Sequence, residues 1–161
     1  MDTRARRLVL TRMLRELRVS PDMGDFNTRL RLQKATYLLE SLGAPLEYRH
    51  SWYVRGPYSS ALADDLFSIA GNSEVQSAAA LVELSPDVTA VLQRLSSVLE
   101  KVPANYSGNE TRWFEALGSA RYLQDKHFDE AATKQTLQDS KGLTAVQVDE
   151  ALRALAQVFG K

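Results

Sequence analysis

The sequence predicts a mainly α-helical (α+β) domain, with six or seven helices packed against a small two- or three-stranded antiparallel sheet. Three observations lead to this class. Apolar residues recur at three- and four-residue steps through most of the 161 positions. The period shortens to two between residues 46 and 54. Helix-start residues such as Ser85, Asn109 and Thr144 stand before several of the periodic runs. A composition of 44% hydrophobic and 25% charged residues fits one domain over residues 1–161, long enough to close its own core.

The first helix is expected from Thr3 to Arg18. Leu8, Leu10, Met13, Leu14 and Leu17 fall largely at helical spacing, and Arg4, Arg7, Arg12, Arg15 and Arg18 fill much of the other side. Pro21 and Gly24 make the following stretch a loop. A second helix runs from about Phe26 to Leu42, where Gly43 suits a left-handed stop and Pro45 prevents continuation. Leu30, Lys34, Tyr37, Leu38 and Ser41 share one side of it, and Leu32, Ala35, Leu39 and Leu42 a neighbouring stripe. So much apolar surface belongs at the centre of a core.

Tyr48, His50, Trp52 and Val54 alternate with Glu47, Arg49, Ser51 and Tyr53, the pattern of a half-buried strand over 46–54. Arg55-Gly56-Pro57-Tyr58-Ser59 turns that strand toward a third helix, capped by Ser59 or Ser60 and ended by Gly71. Residues 72–84 stay open: Ala78–Val82 fit a short helix or a strand returning to pair with 46–54. A lone strand leaves backbone groups unpaired, so a partner strand is expected. Ser85-Pro86-Asp87 starts the next helix, which stops before Pro103. Further helices follow from Asn109 to about Gln124, over 129–139, and from a Thr144/Gln147 capping box to Phe159.

Several chemistries lack their residues. There is no cysteine, hence no disulfide or thiolate, which fits a cytoplasmic chain. No run is long and apolar enough for a membrane span, and the N-terminus does not resemble a signal peptide. His50 and His127 are the only histidines, with no zinc-type spacing. Phosphate-binding glycine loops and the serine-hydrolase elbow are missing. Asp64-Asp65 reads as a solvated helix face, and His50 as a packed, hydrogen-bonded histidine. The expectation is a non-catalytic chain without metal or cofactor.

The informative stretch runs from Trp52 to Leu62. Gly56 and Pro57 supply turn geometry. Trp52, Tyr53, Arg55 and Tyr58 are residue types that dominate binding hot spots. Trp52 is expected to plug the joint between sheet and helices, whereas Tyr53 and Arg55 alternate outward.

Three segments in order carry a resemblance. Arg31-Leu32-Gln33-Lys34-Ala35-Thr36-Tyr37-Leu38-Leu39 resembles the K/R-L-Q-K…Y-L-L helix of YwgA-like proteins and the related Panacea (SocA-like antitoxin) domain. Trp52–Ser59 resembles their Y-G-P-Y/V-S turn, with Arg55 in place of the tyrosine-like residue before the glycine. Trp113–Leu123 is similar to their W-L/F-E-x-L-A/G-S-x-x-Y-L helix. The resemblance implies a compact helical domain that neutralises or regulates a partner protein by stoichiometric contact, in a toxin–antitoxin, prophage or phage-defence locus. Within that binding-module reading, Gln33, Lys34, Tyr53, Arg55, Tyr58 and Ser59 are the expected partner-binding residues, with Trp52, Gly56, Pro57 and Trp113 as structural ones.

A second reading is a nucleic-acid-binding autorepressor. Residues 1–55 carry eleven Lys/Arg against six Asp/Glu, although the whole chain is neutral. Arg4, Arg7, Arg12, Arg15, Arg29 and Arg31 are its candidate phosphate contacts. The sequence does not choose the partner or the oligomeric state.

Overall fold

The structure, a computed structural model, describes residues 1–160. Among these, eight α-helices and one two-stranded sheet follow in the order α1 (Thr3–Leu17), α2 (Phe26–Ser41), β1 (Ser51–Tyr53), β2 (Gly56–Tyr58), α3 (Ser60–Ala70), α4 (Ser73–Ala79), α5 (Pro86–Glu100), α6 (Glu110–Asp125), α7 (Glu130–Lys141) and α8 (Ala145–Phe159). A short 3-10 turn, Ala104–Tyr106, precedes α6. Each helix starts where an Asp, Asn, Ser or Thr side chain accepts a free N–H of the first turn. These caps are Asp2, Asp25, Ser59, Asn72, Ser85, Asn109, Asp129 and Thr144. The expected Thr144/Gln147 capping box is present.

Two helices are central. Buried residues run consecutively from Leu32 to Leu39 in α2 and from Trp113 to Ala120 in α6. A helix buried all round must be covered on every side. The outer helices carry a single apolar stripe each: Leu10, Met13, Leu14 and Leu17 on α1, Leu92, Leu95 and Leu99 on α5, and Val148, Ala151 and Leu155 on α8. Trp113 joins these layers. Its indole N–H donates to the Val98 carbonyl (3.0 Å), and its ring meets Tyr106 edge-on at 4.9 Å. The Tyr106 hydroxyl in turn donates to the Gln147 carbonyl of α8 (2.8 Å).

The strand region corrects the expected extent of the strand and decides between the two alternatives open for 78–82. Burial alternates through 46–53 as the sequence predicts, with Tyr48 inside and Glu47 and Arg49 outside. Only Ser51–Tyr53 is hydrogen-bonded as a strand, however, because its partner is the adjacent β2 rather than 78–82. The register sets Ser51 opposite Tyr58, Trp52 opposite Pro57 and Tyr53 opposite Gly56. Before β1, Glu47 takes a positive φ of 63°, and the Tyr48 N–H bonds to the Glu40 carboxylate (2.9 Å) instead of to a strand. Residues 78–82 belong to α4 and its exit turn. The Asn72 cap and the Arg12 and Arg15 side chains, which donate to the Val82 and Gln76 carbonyls, hold that segment against α1.

The Asp64-Asp65 pair is also corrected. Asp64 is exposed, but Asp65 is buried, at 4% exposure. It accepts from Arg6 Nε (3.1 Å), Arg7 Nε (2.9 Å) and the Tyr48 hydroxyl (2.6 Å), and the Arg6 guanidinium lies over the Tyr48 ring. Burial acts to raise the Asp65 pKa, but the hydrogen bonds from Tyr48, Arg7 and Arg6 outweigh it and hold the carboxyl below its ordinary value. Removing one member of a buried charge cluster strands the others. Asp65→Ala is therefore expected to lower the unfolding free energy by about 3 kcal/mol, against less than about 0.5 kcal/mol for Asp64→Ala, in urea titrations.

Candidate functional site

The three motif segments converge beneath the β1–β2 hairpin. The two-residue turn Val54-Arg55 is followed by Gly56 at φ +95°, a pattern in which the glycine after the turn takes the positive φ. Glycine is also required by space, since a Cβ at Gly56 would lie 2.5 Å from Ser119 Oγ of α6. One position earlier, Gly118 leaves room for the Lys34 stem, which a Cβ there would approach to 3.2 Å. Small residues on α6 thus let the hairpin and α2 approach the same turn of helix.

Two lysines hold the hairpin from inside. Lys34 is 1% exposed, and its ammonium donates to the Pro57 carbonyl at 2.9 Å. Lys141, at the end of α7, donates to the Tyr53 (2.9 Å) and Val54 (2.7 Å) carbonyls and sits 4.2 Å from the centre of the Trp52 ring. The Gln33 amide adds a two-way clamp, donating to the Ser59 carbonyl and accepting the Ser59 N–H, both at 2.9 Å. Ser59 Oγ then accepts the Leu62 N–H and starts α3. The Arg112 guanidinium donates to the Lys141 carbonyl and pairs with buried Glu115 at 3.4 Å.

Burial sets the electrostatics. Desolvation pushes the Lys34 pKa down to about 8; Glu115 opposes the shift, while Lys141 and Arg55 add to it. Burial also lowers Lys141, again opposed by Glu115 and reinforced by Arg112 and Arg55.

Behind Trp52 stands an aromatic row, with Trp52–Tyr122 at 5.5 Å, Tyr122–Tyr37 at 5.6 Å and Tyr37–His50 at 5.1 Å. Burial, with Lys34 nearby, depresses His50 to about 4, so the imidazole is neutral near pH 7. Its Nε2 is buried without a hydrogen-bond partner, which corrects the expectation of a hydrogen-bonded ring at that atom.

The expected recognition residues divide. Tyr53 (52%) and Arg55 are exposed at the tip, and so is Val54 (85%), which corrects its expected place on the half-buried face because it stands in the turn and not in the strand; Tyr58 is half-buried with its ring edge-on to Tyr53 at 5.5 Å. Gln33, Lys34 and Ser59 are buried, so their placement on a recognition surface is corrected: their polar atoms are spent on the hairpin backbone. Trp52, Gly56, Pro57 and Trp113 occupy structural positions. The arginines expected to contact phosphates all have intramolecular acceptors: Glu74 for Arg4, Asp65 for Arg7, Glu16 and the Val82 carbonyl for Arg12, the Gln76 carbonyl for Arg15, the Met23 carbonyl for Arg29, and Thr28 and Thr111 for Arg31.

Lys141, Glu115 and Ser119 were missed. Lys141 has the sequence context of an ordinary C-terminal helix cation, and nothing local links it to residues 53 and 54. Glu115 and Ser119 lie within the third motif, and their fixed places in it were the available signal. No group of three or more His, Cys, Asp or Glu among the described residues is placed to hold a metal ion, and no helix among them is long and apolar enough to cross a membrane. Comparison with protein-family profiles, curated proteins and solved structures gave no match.

Two measurements check the joint. Gly56→Ala is expected to cost about 2–4 kcal/mol, from the positive φ and the Ser119 contact together, with part of the loss recovered in Gly56→Ala/Ser119→Gly. Lys34 titrates lower folded (about 8) than unfolded (10.5), so the unfolded chain binds more protons between those values and stability rises with pH there. Tyr37, Tyr48 and Tyr106, all shifted upward, oppose this only above their ordinary value of 10. Urea unfolding from about pH 7 to about pH 10 should show this rise in the wild type and a smaller one in Lys34→Met, where Lys141, also lowered by burial, still contributes.

Proposed function

We propose that the chain is a non-catalytic protein-binding module of the Panacea/YwgA-like kind, an antitoxin or regulatory component that covers a surface of its partner stoichiometrically. One observation carries the reading. Buried residues from all three motif segments, among them Gln33, Lys34, Gly56, Pro57, Gly118 and Ser119, build a single mount for an exposed hairpin tip. What the mount presents is Tyr53, Val54 and Arg55: an aromatic ring, an aliphatic side chain and a guanidinium. Such side chains supply contact area and directional bonding at an interface. A tip already pinned at the Tyr53, Val54 and Pro57 carbonyls has little backbone freedom left to lose on binding.

The nucleic-acid alternative gains less from the structure, since the N-terminal arginines are engaged within the fold. The test is co-expression with the product of the adjacent gene. A defined-stoichiometry complex on size exclusion with light scattering is expected, with growth rescue where that product is toxic. Tyr53→Ala and Val54→Asp should each weaken the complex by about tenfold or more, leaving the melting temperature unchanged. An adjacent product that neither co-purifies nor is neutralised would count against the reading.

A further inference from the structure

The hairpin tip is backed by a positive field that one carboxylate offsets only in part. Lys34, Arg55, Lys141 and Arg112 gather around it, and Glu115 is the one carboxylate that acts on both lysines among the described residues. Glu115 is already paired with Arg112. The two ammonium groups lie behind the turn, one fully buried and the other beneath the Trp52 ring, where solvent screens them less than surface charges. Both donate to turn carbonyls, so the oxygens that would otherwise present negative potential there are turned inward and neutralised. In front of them Arg55 is exposed and makes no hydrogen bond or ion pair among the described residues; Arg49, Arg94 and Arg153 are likewise unpaired, but only Arg55 stands on the hairpin beside the two lysines. Its neighbours on the tip are Val54, 85% exposed, and Tyr53.

From this arrangement we infer that the tip docks on an acidic protein surface, with a partner carboxylate bound by Arg55 and an adjoining apolar side chain packed on Val54 and Tyr53. This inference rests on the reading of the tip as a recognition surface, and names the chemistry of what it meets. A guanidinium suits a carboxylate because its N–H groups match the two oxygens in a plane. Phosphate would match as well, but a nucleic acid is gripped by a row of cations along its backbone. Here one exposed guanidinium stands beside an aliphatic side chain, which gains from apolar contact and nothing from a phosphate chain.

The test uses the full chain and three fluorescein-labelled probes: a Glu-rich peptide with interspersed Leu, the matching Lys-rich peptide, and a DNA duplex. By fluorescence anisotropy at low salt, the Glu peptide is expected to bind, and amide chemical-shift changes should centre on Tyr53, Val54 and Arg55. Arg55→Glu should weaken it at least about tenfold and Arg55→Lys only a few-fold, with melting temperatures unchanged. Equal or tighter binding of the Lys peptide, tighter binding of the duplex through Arg55, or no binding of the Glu peptide would each overturn the inference. The two readings fail separately. A complex with the adjacent gene product that is indifferent to Arg55→Glu overturns the acidic-surface inference alone. Absence of any such complex, with tip-directed binding of the Glu peptide intact, counts against the proposed function alone.

Discussion

The ammonium of Lys34, buried between α2 and α6 and bonded to the Pro57 carbonyl, is the constraint around which the site is organised. A charge taken out of water must recover its solvation from fixed partners. The Pro57 carbonyl supplies one, and the attraction of Glu115 supplies part of the remainder. Everything adjacent then has to fit the lysine stem. Gly118 is small where the stem crosses α6, Gly56 is small where β2 meets Ser119, and the hairpin must present a carbonyl at one position. A shift of register would carry that carbonyl away and strand the charge, so the polar joint favours one arrangement where an apolar joint would tolerate several.

The same joint separates two roles that share a short segment. Facing inward, the carbonyls of Tyr53, Val54 and Pro57 are consumed by lysines, and both backbone groups of Ser59 by Gln33. Facing outward, the side chains of Tyr53, Val54 and Arg55 carry none of that load. The exposed residues can therefore be changed with small effect on stability, whereas the mount cannot. The aromatic row from Trp52 to His50 extends the support, and it keeps His50 uncharged near neutrality.

A second polar hub joins α1, α3 and the segment before β1. Asp65 gathers Arg6, Arg7 and Tyr48, tying α1 and the approach to β1 onto α3. It also explains the charge asymmetry of the chain. Much of the basic character of the N-terminal segment is matched internally, by Asp65, Glu16 and Glu74 and by carbonyls around α4. At the hairpin, by contrast, Lys34 and Lys141 are held by backbone carbonyls, and their one shared carboxylate, Glu115, is already paired with Arg112.

Sequence alone determined the helical class, most helix boundaries, and the extended segment with the turn that ends it. Helical period, N-caps, and Gly and Pro stops are local signals that act through backbone geometry within a turn or two. It also marked Trp52–Ser59 as the segment of interest and set Tyr53 outward, because alternation along an extended chain is local as well; past Tyr53 the turn overrides it and exposes Val54 together with Arg55. Tertiary structure alone decided which strand pairs with β1, that Asp65 is an ion-pair hub beside an exposed Asp64, and that Gln33, Lys34 and Ser59 face inward. It alone brought Lys141 to the turn, from 87 and 88 residues away. Those outcomes depend on which acceptor lies across the packed interface. A lysine in a helical pattern reads as solvated until a neighbouring backbone carbonyl is placed within 3 Å of it.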